Sequence, residues 1–309
     1  MIDLSNKFLF AGLDFLIDQK GNLVFIEANS APGLMYRYNE LYGECTPLVR
    51  LTEALSTQLV NKKLILVYSK NFFESKPNVR FKYEELLKLT GGKCQLCLLD
   101  KSDLKDFSGK LFDEKGEEIK SGIVSTSWLF LKKELEKNNA FSIVNPYIVS
   151  NLTTDKFKTS HVLKNSKNFH VPIVFEFKNK EELGEIVARE KFPTGFVIKP
   201  NGGYGGKNIY FADNLEDIEE IDFSKDEWLV QEKIEINKDN DKYWDIRVFV
   251  VGGKYCGALK RTSQNQAVNV SLGGEVEKIP KDLEEKLKLA SEECVSKINK
   301  NLFNFFAVN

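Results

Sequence analysis

The sequence lacks the features by which a chain binds a membrane or nucleic acid. No apolar run among its 309 residues approaches the ~18 residues that a membrane-spanning helix needs. Its 44 Lys and Arg residues are matched by 45 Asp and Glu residues, so no net charge of one sign attracts nucleic acid or lipid headgroups. We therefore expect neither a nucleic-acid partner nor a membrane partner.

A secretory signal is also missing from the beginning of the chain. Asp3, Lys7 and Asp14 are charged residues in the stretch that a signal peptide would keep apolar. We therefore expect a cytoplasmic protein.

Cysteine and histidine are scarce. The five cysteines are an odd number spread over a large chain, which favours reduced thiols over a disulfide framework. Cys94 and Cys97 form a lone CxxC in a segment that alternates like a strand, so we expect core packing, with a redox or metal pair as the alternative. His161 and His170 have no partner at a catalytic or metal-binding spacing, and we assign them no role.

What the sequence does contain is enough apolar residue, 42%, to bury a core in two or three sub-domains. A small parallel α/β domain is predicted from Leu64 onwards. Its elements are the strand-like run LILVYS, a helix over 83–90 and a strand over 94–99. A helix is also expected over 48–59. We divide the chain into residues 1–62, 63–150 and 151–309.

A hairpin is predicted near the start of the chain. Two short apolar strands, Phe8–Ile17 and Leu23–Asn29, are separated by the polar turn Asp18–Asn22. Period-2 alternation places Phe25, Glu27 and Asn29 on the same face of the second strand.

Two carboxylates should face each other in this hairpin. If the turn is centred between residues 20 and 21, Asp14 lies directly opposite Glu27, at roughly 5 Å between Cβ atoms. Such a pair repels unless a positive group lies between them, and a divalent cation held by Asp14, Glu27 and Asn29 would relieve the repulsion. The alternative is an ordinary hairpin with solvated acids.

The richest glycine cluster lies in the segment GFVIKPNGGYGGKNIYFA, which begins at Gly195. A strand-like pattern follows the glycines where a dinucleotide-binding or P-loop motif would have a helix, so the segment is expected to be a hairpin flap. Its backbone N–H groups can approach phosphate oxygens, with Lys199 as a nearby point charge. The alternative is a mobile hairpin tip. The glycines are Gly202, Gly203, Gly205 and Gly206.

The rest of the chain continues this pattern of strands. Strands are expected over 228–234, 243–251 and 255–261, with Asp245 and Arg247 on one face, and an amphipathic helix over 283–298. Thr153 or Thr154 is expected to cap a short helix that carries Lys156. Residues 302–309 are expected to form an unfinished strand.

Taken together these segments resemble the ATP-grasp superfamily, especially its glutathione-synthetase-like and ribosomal-protein-glutamate-ligase-like branches. The resemblance rests on NLTTDK, FVIKPNGGYGGKNI, LVQEKI, DIRVFVVGGKYCGALKR, the Asn269…Gly273-Gly274 signal and AGLDFL…LVFIEANSAPG. In that superfamily the acid-rich hairpin comes last, whereas here it comes first. The sequence is therefore similar to a circularly permuted ATP-grasp protein, as in the glutathionylspermidine-synthetase-like branch.

The resemblance implies an α/β (α+β) fold, with antiparallel sheets, a glycine-rich flap and a small parallel α/β domain. It also implies ATP and Mg²⁺ as cofactors. The implied metal ligands are Asp14, Glu27 and Asn29. The implied nucleotide-binding residues are Lys156, Lys199, the flap glycines, the backbone of Glu232, Lys233 and Ile234 as a hinge for adenine, and Asp245 for the ribose. The residues implied to face the transferred phosphoryl group are Arg247, Arg261 and Asn269.

The function implied is an ATP-dependent ligase that joins a carboxylate to an amine or a thiol through an acyl phosphate, releasing ADP and phosphate. The partners would be a small-molecule or peptide carboxylate and an amine acceptor. Val268 stands where many glutamate ligases of this type have Arg, so the acidic acceptor is left open. The alternative is a non-catalytic nucleotide-binding module or one repeat of a larger ATP-grasp assembly. We expect the hairpin to complete its own chain, and a swapped homo-oligomer is the alternative.

Overall fold

The computed structural model describes residues 7–100, 103, 107–202, 208–224, 227–236, 238–268, 270 and 273–302. Its strands are β1 (Phe10–Ile17), β2 (Leu23–Asn29), β3 (Leu64–Ser69), β4 (Cys94–Leu99), β5 (Leu111–Phe112), β6 (Glu118–Ile119), β7 (Gly122–Ser125), β8 (Phe141–Ile143), β9 (Val174–Phe177), β10 (Phe196–Pro200), β11 (Tyr210–Ala212), β12 (Trp228–Glu232), β13 (Tyr243–Val251), β14 (Lys254–Ser263) and β15 (Glu275–Lys278).

The helices connect and cover these strands. They are α1 (Met35–Tyr42), α2 (Thr46–Leu59), α3 (Lys70–Ser75), α4 (Pro77–Leu89), α5 (Leu129–Leu135), α6 (Tyr147–Thr154), α7 (Lys156–Leu163), α8 (Lys180–Glu190) and α9 (Glu284–Asn301). Two short 3₁₀ turns, Glu216–Ile218 and Lys281–Leu283, complete the regular structure of the described residues.

The largest sheet is antiparallel and has the order β15-β14-β13-β1-β2. The β1–β2 hairpin therefore pairs with β13 of the same chain, with Asp14 opposite Arg247. One face of the sheet packs on α9, where apolar residues at helical spacing, among them Leu287, Cys294 and Ile298, are buried. The pairing places the early hairpin in one layer with strands more than two hundred residues later in the chain.

A second antiparallel sheet has the order β11-β10-β12-β9. Its core is built from Ile198, Val230, Phe177 and residues of α8 such as Leu183. This sheet carries Lys199 near the end of β10.

The third main sheet is parallel, with the order β4-β3-β7-β8. Its presence beside the antiparallel sheets confirms the mixed α/β fold predicted from the sequence. Cys94 and Cys97 are buried in β4, and burial raises the pKa of their thiols to about 12 and about 11. Such thiols are poor nucleophiles, which supports core packing over a redox pair. The division at residues 62 and 150 stays a prediction.

Several predicted boundaries differ from the structure. The helix expected over 83–90 begins at Pro77, because proline at the first helical position needs no N–H partner. The cap of α7 is Asp155, which accepts the N–H of Lys158, so the predicted threonine cap is wrong. The strand expected over 228–234 ends at Glu232. Residues 303–309, the expected last strand, lie outside the described residues.

The hairpin register is confirmed at the acids and shifted near the turn. Asp14 pairs with Glu27, as predicted, but a β-bulge follows and Phe15 pairs with Phe25. Because of the bulge, Phe15 and Phe25 both point into the core while the acids point the other way, so the prediction that Phe25 shares a face with Glu27 and Asn29 is wrong.

No helix in the part of the chain that the structure describes is long and apolar enough to cross a membrane. The cellular location stays a prediction.

Candidate functional site

A cavity of about 500 Å³ lies where the three main sheets approach one another. Most of the site residues predicted from the sequence line it. They are Asp14, Glu27, Asn29, Lys199, Glu232, Ile234, Asp245, Arg247 and Arg261. Residues far apart in sequence therefore meet in one place.

Opposite charges alternate across the sheet on the floor of this cavity. Asp14 on β1 lies opposite Arg247 on β13, and Asp245 on β13 lies opposite Arg261 on β14. Arg247 donates two hydrogen bonds to Asp14, one of them from Nη2 to Oδ2 at 2.6 Å. The strand register that sets the fold thus also pairs the charges.

Arg261 joins the two pairs into one cluster. Its Nε and Nη2 donate to the two carboxylate oxygens of Asp245 at 2.6 Å each, and its Nη2 lies 2.9 Å from Oδ2 of Asp14. Arg247 extends the cluster towards Glu27, with Nη2 at 3.8 Å from Oε1. We call Asp14, Glu27, Asp245, Arg247 and Arg261 the charge cluster.

The two buried aspartates respond differently to the same arginines. Burial alone would raise the pKa of Asp14, but Arg247 and Arg261 outweigh burial and hold that pKa well below its usual range. Burial also raises the pKa of Asp245, and Arg261 offsets it only in part because the Asp14 carboxylate is close. Asp14 is therefore firmly ionised.

The three predicted metal ligands, Asp14, Glu27 and Asn29, differ in their partners in the structure. Glu27 is partly exposed, and Asn29 donates its amide N–H to Glu27 at 3.1 Å, which leaves the amide oxygen for a cation. Asp14 uses both carboxylate oxygens on the arginines. Glu27 and Asn29 therefore fit a divalent cation as they stand, whereas Asp14 would have to exchange an arginine for the metal. In this structure the guanidinium of Arg247 contacts both acids, and the predicted metal site stays a prediction.

Lys199, on the second sheet, lines the cavity, and Lys156, on the neighbouring helix, lies close to Lys199 but does not line the cavity. Lys199 is 7% exposed, and burial, together with repulsion by Lys156, lowers the pKa of Lys199 to about 8. Lys156 begins α7 and donates to the carbonyl of Asn201 at 3.1 Å. Burial also lowers the pKa of Lys156. Two desolvated ammonium groups near each other form a site that an anion would stabilise.

The segment predicted to bind adenine, Glu232 to Ile234, has two of its three backbone N–H groups in use, and its role stays a prediction. The backbone N–H groups of Glu232 and Lys233 already donate to the carbonyls of Ile173 and Gly195, at 3.0 and 3.1 Å. The N–H of Ile234 donates to no residue that the structure describes. His170, to which the sequence assigned no role, lies 2.9 Å from Oε1 of Glu232 through Nε2 and so holds this segment in place.

Other predicted site residues lie away from the cavity or outside the described residues. Gly202 is exposed, with open space where a Cβ would lie. Lys233 faces a neighbouring groove, where it pairs with Asp213 at 2.7 Å. The predictions for Gly203, Gly205, Gly206 and Asn269 lie outside the part of the chain that the structure describes.

Two cavity residues escaped the sequence analysis. Lys82 and Asn78 lie on α4 and line the cavity from the side of the parallel sheet. No motif marks them in the sequence, because only the tertiary position of α4 brings them to the cavity.

Residues 153–298 match the RimK-like ATP-grasp domain. The matched range, a little under half of the chain, is similar to this ATP-grasp domain. The match includes β10, β12, β13 and β14, but it begins at residue 153 and so leaves out the hairpin, which lies at residues 10–29. The matched range thus shares the largest sheet with a hairpin that lies outside it.

Two curated relatives are both glutamate ligases. Over 170 residues, 54% of this chain and 57% of the relative, the protein is 28% identical to the coenzyme gamma-F420-2:alpha-L-glutamate ligase of Methanocaldococcus jannaschii. Over 164 residues it is 31% identical to the tetrahydromethanopterin:alpha-L-glutamate ligase of Methanococcus maripaludis, with 51% of this chain and 54% of that ligase covered. The matches span only a little more than half the length of each relative.

A solved structure matches nearly the whole chain. It is a candidate gamma-glutamylcysteine synthetase from Methylobacillus flagellatus KT, with a TM-score of 0.62 and 12% identity, and it covers 97% of this chain and 90% of its own. At this identity the likeness concerns the fold. The likeness in fold includes the elements that flank the matched range.

Proposed function

We propose that the protein is an ATP-dependent ligase that joins a carboxylate to an amine and releases ADP and phosphate. The observation that carries this proposal is the cavity itself. It brings the guanidinium groups of Arg247 and Arg261 and the ammonium group of Lys199 into one enclosure with Glu27 and Asn29. Cations on one side and cation-binding oxygens on the other are what a transferring phosphoryl group requires.

The reaction we propose has two steps. A carboxylate oxygen of the first substrate attacks the γ-phosphorus of ATP, the bond to ADP breaks, and an acyl phosphate forms. The nitrogen of the amine then attacks the acyl carbon, the C–O bond to phosphate breaks, and the nitrogen loses a proton. Arg247 and Arg261 stabilise the negative charge on the phosphoryl oxygens in both steps.

Mg²⁺ bound at Glu27 and Asn29 would neutralise charge on the nucleotide phosphates. The protein residues orient the reactants around it. Lys199 and Lys156 hold phosphate oxygens, Ile234 offers its backbone N–H to the base, and the cavity walls keep water from the acyl phosphate.

We further propose that one of the substrates is an amino acid, since both curated relatives are alpha-L-glutamate ligases. Peptides and other small carboxylates remain in the substrate class. The expectations of a cytoplasmic location, of no nucleic-acid or membrane partner and of a possible homo-oligomer stay predictions.

The permuted order of the ATP-grasp fold is also a proposal. The hairpin that carries the acids pairs with β13 of its own chain, yet it lies outside the matched range 153–298. The end of α9 lies beside the start of β1, because Asn299 accepts the backbone N–H of Phe8 at 2.7 Å. Joining these neighbours would restore the order in which the hairpin comes last.

A phosphate-release assay tests the proposed function. We expect release from Mg·ATP to depend on the joint presence of one carboxylate and one amine from a panel of amino acids, and Glu27→Gln to abolish it. Nucleotide binding without turnover for every pair in the panel would contradict the ligase and favour the non-catalytic module.

A further inference from the structure

The wall of the cavity opposite the charge cluster is built by the parallel sheet. Ser125 ends β7 and Tyr68 lies near the end of β3, so the carboxyl edge of the sheet faces the cavity. In open parallel sheets, ligands bind outside this edge. Helix α4 completes the wall with Asn78 and Lys82.

Lys82 is buried without a counter-ion. Lys82 is 8% exposed, and its ammonium group forms no hydrogen bond or ion pair with any described residue. Its nearest compensation is the ring of Phe10, whose centroid lies 5.5 Å from Nζ. Burial lowers the pKa of Lys82 to about 8. An ammonium group in such surroundings costs folding free energy unless an anion reaches it.

Asn78 lies one helical turn before Lys82, and this i, i+4 spacing places both side chains on the same face of α4. The side-chain oxygen of Asn78 is buried and accepts no hydrogen bond within the described structure. The cavity wall thus contains one cation and one acceptor, a helical turn apart, and neither has a partner among the described residues. Buried polar groups are normally paired, so both point to a ligand.

We propose that Lys82 and Asn78 form the recognition site for the amino-acid substrate, with Lys82 binding its carboxylate and Asn78 accepting one of its N–H groups. This inference rests on the proposed function, because the bound amino acid would supply either the carboxylate or the amine of the ligation. The same pair explains why an acidic and zwitterionic ligand fits here while the nucleotide phosphates are served by Lys199 and the arginines.

The site differs in origin from the nucleotide site. Lys199 is on the second sheet, in the matched ATP-grasp domain, whereas Lys82 and Asn78 lie outside the matched range 153–298. Substrate recognition can therefore vary on α4 while phosphoryl-transfer residues stay unchanged. Substitutions at Lys82 should change which amino acid binds best and should not change the affinity for ATP.

The test compares Lys82→Met, Lys82→Arg and Asn78→Leu with Lys88→Met, an exposed lysine on the same helix. Binding of a panel of L-amino acids and of their carboxamides is measured by calorimetry in the presence of Mg·ADP, and phosphate release with ATP is measured in parallel. We expect Lys82→Met to weaken the best-binding amino acid about ten- to a hundredfold, the loss of one hydrogen bond to a charged group. We expect unchanged ATP affinity, partial rescue in Lys82→Arg and no effect of Lys88→Met.

The carboxamides make the test specific. Wild type should lose affinity when the carboxylate of the ligand becomes an amide, whereas Lys82→Met should bind both forms alike. Lys82→Met should also melt no lower than wild type, which a purely structural lysine would not allow. Equal amino-acid affinity in wild type and Lys82→Met, or no saturable binding of any amino acid by wild type, overturns the inference. Specific amino-acid binding without phosphate release keeps it and overturns the proposed ligase instead.

Discussion

At the scale of single residues, the two acids of the hairpin have different roles although the sequence treats them alike. Asp14 is 2% exposed and hydrogen-bonded to two arginines, whereas Glu27 is partly exposed and has one ion pair at 3.8 Å. Removing one partner from a buried ion pair leaves uncompensated charge, which costs about 3–5 kcal/mol. Removing a partly exposed acid leaves no such uncompensated buried charge and should cost little stability.

Asp14→Asn should therefore lower the free energy of unfolding by several kcal/mol, while Glu27→Gln should leave it close to wild type and abolish turnover. Urea unfolding and the phosphate-release assay measure the two effects. Glu84→Gln, an exposed acid of α4, is the control and should change neither. Equal stability of the Asp14 and Glu27 variants would show that the charge cluster does not hold Asp14 as described.

The lowered pKa of Lys199 gives a pH-dependent signature of nucleotide binding. With a pKa of about 8, part of Lys199 is neutral in the free protein at pH 8.5, and phosphate oxygens favour the charged form. Binding of Mg·ADP at pH 8.5 should therefore be accompanied by uptake of a fraction of a proton per site, and this uptake should vanish near pH 6.5. Calorimetry in buffers of different ionisation enthalpy measures it.

Lys199→Met should bind Mg·ADP more weakly and lose most of this uptake, while Lys88→Met should keep it. Proton release in place of uptake would place the nucleotide phosphates elsewhere.

Burial of Lys82 also has a consequence for stability. The pKa of Lys82 is lowered to about 8 in the folded chain from an ordinary value of 10.5, so the unfolded state binds more protons between these values. The stability of wild type relative to Lys82→Met should thus rise as the pH rises from 8 to 10.5.

At the scale of elements, one asparagine fixes the start of the hairpin. Asn145 is fully buried, accepts the N–H groups of Leu9 and Phe10, and donates to the carbonyls of Phe10 and Ser30. Ser30 directly follows Asn29, so the side chain of Asn145 also positions the backbone beside this proposed metal ligand. Asn145 has φ +54°, a conformation that asparagine and glycine tolerate.

Asn145→Gly removes these hydrogen bonds without adding backbone strain. Each buried group left without a partner costs about 1–3 kcal/mol, so we expect a loss of stability of at least about 3 kcal/mol. Denaturant unfolding measures it, with the exposed Asn138→Gly as the matched control. A variant as stable as its control would show that water replaces Asn145.

The sequence predicts the secondary-structure elements better than the tertiary contacts between them. Alternation and turn composition were sufficient to place Asp14 opposite Glu27, because a two-residue period fixes which side chains share a face. The bulge after Asp14 was not predictable, since it arises from the packing of Phe15 and Phe25 in the core. Arg247 between the acids, Lys82 against Phe10 and the bonds of Asn145 all depend on contacts between residues far apart in sequence, for which a single sequence gives no signal.

At the scale of the whole molecule, the order of elements along the chain is separable from the fold. A reordered chain that begins at residue 63, joins residue 309 to residue 1 through a short linker and ends at residue 62 should fold, because Phe8 and Asn299 are already in contact. Melting temperature and Mg·ADP binding measure this. A chain opened between Val248 and Phe249, within β13, is the control and should not fold.

If the reordered chain fails while the chain opened in β13 behaves like wild type, the proposed permutation is wrong. If the reordered chain is active only as an oligomer, the hairpin completes a neighbouring chain rather than its own.

The central claim is that phosphoryl transfer to a carboxylate precedes attack by the amine. It is tested most directly with a carboxylate substrate labelled with ¹⁸O, incubated with Mg·ATP and the amine that supports turnover. Transfer through an acyl phosphate carries one labelled oxygen from the carboxylate into each phosphate released, which mass spectrometry detects. Phosphate that carries no label, formed at the same rate, would mean that water attacks ATP and would contradict the account.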